Sequence, residues 1–244
     1  MPAAPRLMTL SRRCIIGSIV VALIALTCVR LGIWQLHRLE QKRNRNAGAH
    51  VRMRLAPVAL SSLMLDSAGL LYRRATLTGK YDDAHTIIVA GRALHGVPGV
   101  HVLTPMRVGN SGVLVNRGWV GSSDAASIDL EAIRESAPAQ VQGLILALPE
   151  NPRRADDSTG FRRVWYHLSV PALRRQFPYP LAGYVVQILP SADAPAAPKR
   201  LPPPELDEGP HLGYAIQWFG FAAIGVIGWL ILLLRGYCKP PSTE

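Results

Sequence analysis

From Leu212 to Leu234 the chain runs for 23 residues without a charged side chain. As a helix such a run is about 35 Å long at roughly 1.5 Å per residue, enough to cross a hydrocarbon core of about 30 Å. A second apolar run starts at Cys14 and reaches Val29, and past Arg30 it continues through LGIWQL to Leu36. Arg30 falls about one turn below the far interface, where a long side chain can extend to the headgroups. The competing reading of this first run is a cleaved signal peptide, since Arg6, Arg12 and Arg13 precede it. No small-x-small cleavage site follows, and Arg30 interrupts where one is needed. A lipoprotein reading would use Cys28, but the preceding ALT fits that motif poorly.

Two spans imply a tail at 1–12, a first span at 13–36, a β-rich domain at 37–189, a tether at 190–210, a second span at 211–234 and a tail at 235–244. Both tails are basic, through Arg6, Arg12, Arg13, Arg235 and Lys239, which places them in the cytoplasm and the domain on the opposite side of the membrane. Arg38, Lys42, Arg43 and Arg45 crowd the opposite flank, but long loops translocate largely regardless of charge. The net charge of +11 is accounted for by basic residues flanking the spans, facing membrane lipid or an acidic partner. No nucleic-acid motif interleaves them, so nucleic acid is not an expected ligand. Cys14, Cys28 and Cys238 all lie in or beside the spans, leaving the intervening domain without a cysteine.

Within that domain the hydrophobic period shortens towards two. Segments 73–81, 85–91, 99–108, 111–120, 140–148, 162–168 and 182–189 are rich in Val, Ile, Thr and aromatics and are separated by Gly, Pro, Asn or Asp, so each reads as a strand. GNSG at 109–112 has the composition of a hairpin turn. Ser169 ahead of VPALRRQF reads as a helix N-cap with proline in the first turn, and IDLEAIRE at 128–135 as a short helix. Seven prolines between Pro190 and Pro210 predict a stiff, extended tether. The expected fold is therefore a membrane protein of α+β class: two transmembrane helices flanking a β-rich, antiparallel domain that curls as a barrel or packs as a sandwich.

Catalytic signals are missing. His85, His95, His101 and His167 have no metal-ligand partner at a familiar spacing, and read as surface or sheet-edge residues. A domain without cysteine is a poor copper carrier. No CxxCH, P-loop, GxGxxG or GxSxG occurs, so the chain is expected not to be an enzyme.

The chemistry gathers at the membrane ends. At 100° per residue the second span divides into faces. His211, Tyr214, Trp218, Ala222, Gly225 and Trp229 form one stripe, while Gly213, Gln217, Gly220 and Gly228 lie nearly opposite. Small residues let helices approach and an amide can bond across the contact, so the glycine side is the expected packing face and Gln217 a partner contact. Tyr214 and Trp218 suit an interfacial aromatic belt. His211 is less well explained that way: a neutral imidazole above a wall of rings could ligate haem iron while the rings stack on the macrocycle. In the first span Leu31, Gln35, Arg38 and Lys42 share a face, predicting a helix that runs on into water with a polar and basic ridge. That ridge could meet lipid phosphate, an acidic partner or a haem propionate.

GIWQLHRLEQK after the first span, GVHVLTPMRV with VLVNRGWV in mid-chain, and HLGYAIQWF at the head of the second span together resemble the Surfeit locus protein 1 family of cytochrome c oxidase assembly factors. The blocks occur in the family's order and spacing, from about residue 31 to 234. The resemblance implies a two-pass protein of the bacterial inner membrane whose loop domain faces the periplasm and which assists maturation of oxidase subunit I beside other assembly factors, bacterial members being associated with haem a. His211 matches the family histidine. Gly32, Trp34, Gln35 and Arg38 match the first block, and Asn116, Arg117, Gly118 and Trp119 the middle one. Gly121 stands where the family usually has proline. The expected site is then His211 on haem iron, Tyr214 and Trp218 against the macrocycle, and Gln35, Arg38, Arg117 and Gln217 towards a partner or the propionates. A plainer account of NRGW is architectural: Gly118 permits a bend, Trp119 packs in the core and Arg117 pairs with a carboxylate. The alternative function is a structural interaction protein that steadies a respiratory-complex intermediate without cofactor; a membrane hydrolase ranks last.

Overall fold

The computed structural model describes residues 12–60, 69–135, 140–148 and 160–237. The chain forms two compact units, one made of its two ends, up to Ala47 and from Leu206, and the other of Gly48–Glu205.

Helix α1 (Arg12–Arg54), most of it in the first unit, is one unbroken helix of 43 residues, and the helix at the other end of the chain covers His211–Leu234, 24 residues. Both are long and apolar enough to cross a membrane. Most of their large apolar side chains, among them Ile15, Leu23, Ile216 and Ile224, are exposed. Burial within the protein therefore supplies little of what keeps them helical, as for a segment whose solvent is lipid.

The second unit is a nine-stranded sheet. Its strands are β1 (Val58–Leu60), β2 (Arg74–Thr78), β3 (Lys80–Tyr81), β4 (Ile87–Leu94), β5 (Val97–Val108), β6 (Ser111–Gly121), β7 (Gln140–Ala147), β8 (Val164–Trp165) and β9 (Leu181–Ile188). A short helix, α2 (Val170–Gln176), precedes β9, and α3 is the terminal His211–Leu234 helix. The order is β1-β2-β7-β9-β6-β5-β4-β8, with β3 on the end of β5. Two tight turns form the central meander. His95 and Gly96, at φ 51° and 80°, close β4 on β5, and Gly109 at φ 60° starts the turn from β5 to β6 in the GNSG stretch.

The expectation of an antiparallel barrel or sandwich is corrected in two ways. The sheet is mixed, because β1/β2, β4/β8 and β6/β9 pair in parallel. It is also not a closed barrel. The long connection through α2 carries the chain back across the sheet and inserts β9 between β6 and β7, and only such a crossover permits a parallel neighbour. Alternation along a strand reports its faces but not its partners. Both faces of the middle strands are covered. Leu114 and Val185 belong to a core with Ile87, Leu103, Trp165 and Leu173, whereas Val113, Val115, Tyr184 and Val186 belong to one with Leu77, Met106 and Ile145. Each fully buried side chain of this kind contributes about 1.5–3 kcal/mol.

Ser169 caps α2 and accepts from the Ala172 amide, and a proline occupies the first turn. The IDLEAIRE helix does not form. Asp129 accepts from the Glu131 and Ala132 amides and starts a single turn, after which Ile133 is drawn towards the sheet. Strand β1 was not legible in its three residues, and 162–168 shortens to the two-residue β8.

Candidate functional site

Two of the flagged polar residues, one on each long apolar helix, meet. His211 is the first residue of α3, directly after Pro210, and its Nδ1 lies 2.9 Å from Oε1 of Gln35 on α1. An amide oxygen only accepts, so in this contact the imidazole donates from Nδ1. Eighteen residues further along α3, the Trp229 indole nitrogen donates to Ser18 Oγ at 2.9 Å. Gln35 pairs with the start of α3 and Ser18 with its end, so the helices run antiparallel. Between these bonds the contact is built from rings in notches. A Cβ added to Gly17 would lie 2.3 Å from the Trp229 ring, and one added to Gly32 would lie 2.7 Å from the Phe219 ring.

This reverses the expected faces of α3. Gly213, Gly220 and Gly228 have open space beside them, and Gln217 is exposed. The buried residues are Ala215 and Ala222, on the histidine and tryptophan side. The small residues that allow close approach are indeed present, but α1 supplies them and α3 supplies the rings. The sequence of one helix cannot show which of two complementary shapes its neighbour offers. The ring stripe is accordingly divided: Trp229 is spent on packing, Trp218 is half-buried, and Tyr214 remains 47% exposed. Trp218 also meets the Phe221 ring edge-on at 6.0 Å.

Beyond Gln35, one side of α1 holds the segment that leads into α3. Arg43 forms two 2.8 Å bonds with the Glu208 carboxylate, Lys42 lies 3.6 Å from Asp207, and Asn46 donates to the Leu206 and Asp207 carbonyls. The hydrogen-bonded Arg43 holds Glu208 below the usual carboxylate range. Asp207 and Glu208 were not singled out from sequence. Their signal was an acidic ELDE in the proline-rich segment, opposite in sign to the KRNR of α1. Arg38 is exposed; it lies 6.0 Å from the Trp34 ring and donates to Gln41.

Arg117 lies in the other unit and is only 3% exposed. Its guanidinium donates to the Ile133 carbonyl at 2.7 Å, to Thr104 at 3.4 Å and to Glu135 at 3.3 Å, and it faces the Tyr81 ring. It thus has a carboxylate partner, as the architectural account of NRGW expected, and presents no charge to an outside ligand. The second oxygen of Glu135 accepts from Arg200 at 2.7 Å, and Arg200 also donates to the Arg117 carbonyl. Burial, with Glu135 nearby, pushes the Tyr81 phenol up to about 12. Gly118 supplies the bend. It takes φ 133° at a register shift between β5 and β6, and a Cβ there would sit 2.3 Å from the Lys199 carbonyl. Trp119 is half-buried, not a core residue as expected; its ring covers Gly99 and Gly121, and its backbone exchanges two 2.8 Å bonds with Lys199. Gln187 donates to the Leu201 and Pro202 carbonyls. The first part of the proline-rich stretch is therefore fastened to the sheet, and the NRGW block does the fastening.

Among the described residues no three His, Cys, Asp or Glu side chains converge as metal ligands. Of the domain histidines, His85 donates to Asp82, while burial and the nearby Arg92 bring His101 down to about 4.

The model of the SURF1 family matches residues 22–223, which include most of α1, the first half of α3, the sheet and the NRGW block. The chain belongs to the SURF1 family. An uncharacterized SURF1-like protein of Mycobacterium bovis is 30% identical over 227 residues, covering 86% of this chain and 79% of the relative. A SURF1-like protein of Monosiga brevicollis is 25% identical over 237 residues, covering 90% of this chain and 89% of the relative. The human Surfeit locus protein 1 is 22% identical over 237 residues, covering 89% and 77%. The SURF1 match includes Gln35 and His211, the pair that joins the two helices.

Proposed function

We propose that this chain is a cytochrome c oxidase assembly factor of the bacterial inner membrane, crossing it twice with its sheet domain in the periplasm, and that it binds haem a at His211 for delivery to oxidase subunit I. It acts by binding and presentation, not by catalysis, and works beside other oxidase assembly factors. The observation that supports the haem reading is the Gln35 bond. With the proton held on Nδ1, the imidazole has a basic Nε2, the form in which histidine ligates iron, and the Gln35 amide orients the ring. Tyr214 is exposed on the same side of α3 and can offer a flat surface. Bound haem would supply the iron centre that subunit I requires; the chain's own part is to fix the imidazole.

The test is an absorption spectrum of protein purified in detergent from cells that make haem a. Wild type is expected to carry haem, His211→Ala to lose most of it, and Gln35→Leu to fall between. A normal haem complement in His211→Ala would remove the ligand role. The alternative, a scaffold that steadies a respiratory intermediate without cofactor, is favoured by the use of Trp229 and Phe219 for helix packing. It predicts colourless protein that still co-purifies with subunit I.

A further inference from the structure

Past its apolar run, α1 has two polar faces. One, with Gln35, Lys42, Arg43 and Asn46, is occupied by the returning chain. Roughly a third of a turn round the helix, at 100° per residue, lie Trp34, Arg38, Gln41 and Arg45, all exposed. Gln41 ties the two arginines to this face: its side-chain oxygen accepts from Arg38 Nη1 and its carbonyl from Arg45 Nε, both at 3.3 Å. Each guanidinium keeps further N–H groups free, and among the described residues neither has a carboxylate in ion-pair range. Like charges seven residues apart on one helix gain nothing from each other.

The chain itself shows what such a ridge accepts. On the occupied face Lys42 and Arg43 take the carboxylates of Asp207 and Glu208, which lie in a proline-flanked segment without helix or strand. We infer that the face carrying Trp34, Arg38, Gln41 and Arg45 is a docking surface for an acidic, extended segment of a partner protein. Arg38 and Arg45 are about 10 Å apart along the axis, at roughly 1.5 Å per residue. A polyproline II chain, with three residues per turn at about 3.1 Å each, covers that distance in about three residues and returns to the same side, so the partner segment carries two carboxylates three positions apart, each forked by one guanidinium. Lipid fits the surface less well. With Trp34 at headgroup depth, Arg45 stands about 16 Å further along the helix, beyond a headgroup layer of roughly 5–7 Å. The surface is independent of the haem reading and stands whether or not His211 binds iron.

The test uses the full chain in nanodiscs of phosphatidylcholine, with fluorescein-labelled peptides of about ten residues as probes and fluorescence anisotropy as readout. A peptide with glutamates three positions apart is expected to bind saturably at low salt and to weaken as salt rises. Glutamine in place of both glutamates abolishes binding, and moving them to adjacent positions weakens it. Arg38→Gln with Arg45→Gln weakens it at least tenfold without changing the circular dichroism or the thermal unfolding of the protein. Absence of binding to wild type, equal binding to the double variant or indifference to spacing would each overturn the inference. So would a double variant that loses only retention of phosphatidylglycerol while still binding peptide, which would assign the arginines to lipid.

Discussion

The helix pair and the sheet domain solve the same problem with different means. In the sheet domain, apolar side chains fill both faces of the middle strands, and the buried charges of Arg117, Arg200 and Glu135 are enclosed together. In the helix pair, most large apolar side chains point outward, and contact rests on two ring-into-glycine notches and one hydrogen bond near each end. Removal from water can hold the first, whereas the second, with its apolar surface outward, relies on fitted shapes and hydrogen bonds. Energies in the domain should thus depend on paired charge and buried area, and those in the pair on shape.

The largest expected effect lies in the domain. Glu135→Ala leaves two guanidiniums, Arg117 and Arg200, without their carboxylate and should cost about 3–5 kcal/mol, read from denaturant unfolding of the full chain in detergent. A change below about 1 kcal/mol would mean that water compensates the cluster, and would weaken the contrast.

His101 gives a pH signature confined to the same unit. Its folded value of about 4 lies below the ordinary 6.5, so the unfolded chain binds more protons between those values. Stability is fully present above about 6.5 and is lost as pH falls towards 4, by roughly 3 kcal/mol at about 1.4 kcal/mol per pH unit. His101→Gln should flatten that part of the pH profile.

Overfilling a notch is the next effect. Gly32→Leu should cost about 1–3 kcal/mol of helix association and slow disulfide cross-linking between cysteines placed at 35 and 211, leaving the sheet's unfolding unchanged. The same substitution at Gly220, which faces open space, should leave the cross-linking rate as it is. Smallest is Trp229→Phe, which keeps a ring in the Gly17 notch but loses the bond to Ser18. About 1 kcal/mol is expected, measured through the same cross-link.

Much of the fold was legible. The strands from 73 to 189 fall close to where alternation and turn residues place them, and Ser169 caps the helix that its spacing predicts. The parallel neighbours, the mixed sheet and the failed helix at 128–135 were not, because pairing partners and the pull of Arg117 on the Ile133 carbonyl lie far off in sequence. In the candidate site, Gln35 and His211 were both marked by residue type, yet nothing in either block shows that they bond, 176 positions apart. Glu135 and Arg200 gave no signal, being ordinary charges in loops.

Local chemistry sufficed to write two apolar helices, short strands, tight turns and a histidine at a helix start into this chain, because each follows from residues that are neighbours in sequence. Which helix face packs, which side chain meets His211 and where Arg117 spends its charge were settled only by tertiary structure. Each of those depends on a shape or a hydrogen-bond partner contributed from a distant part of the chain.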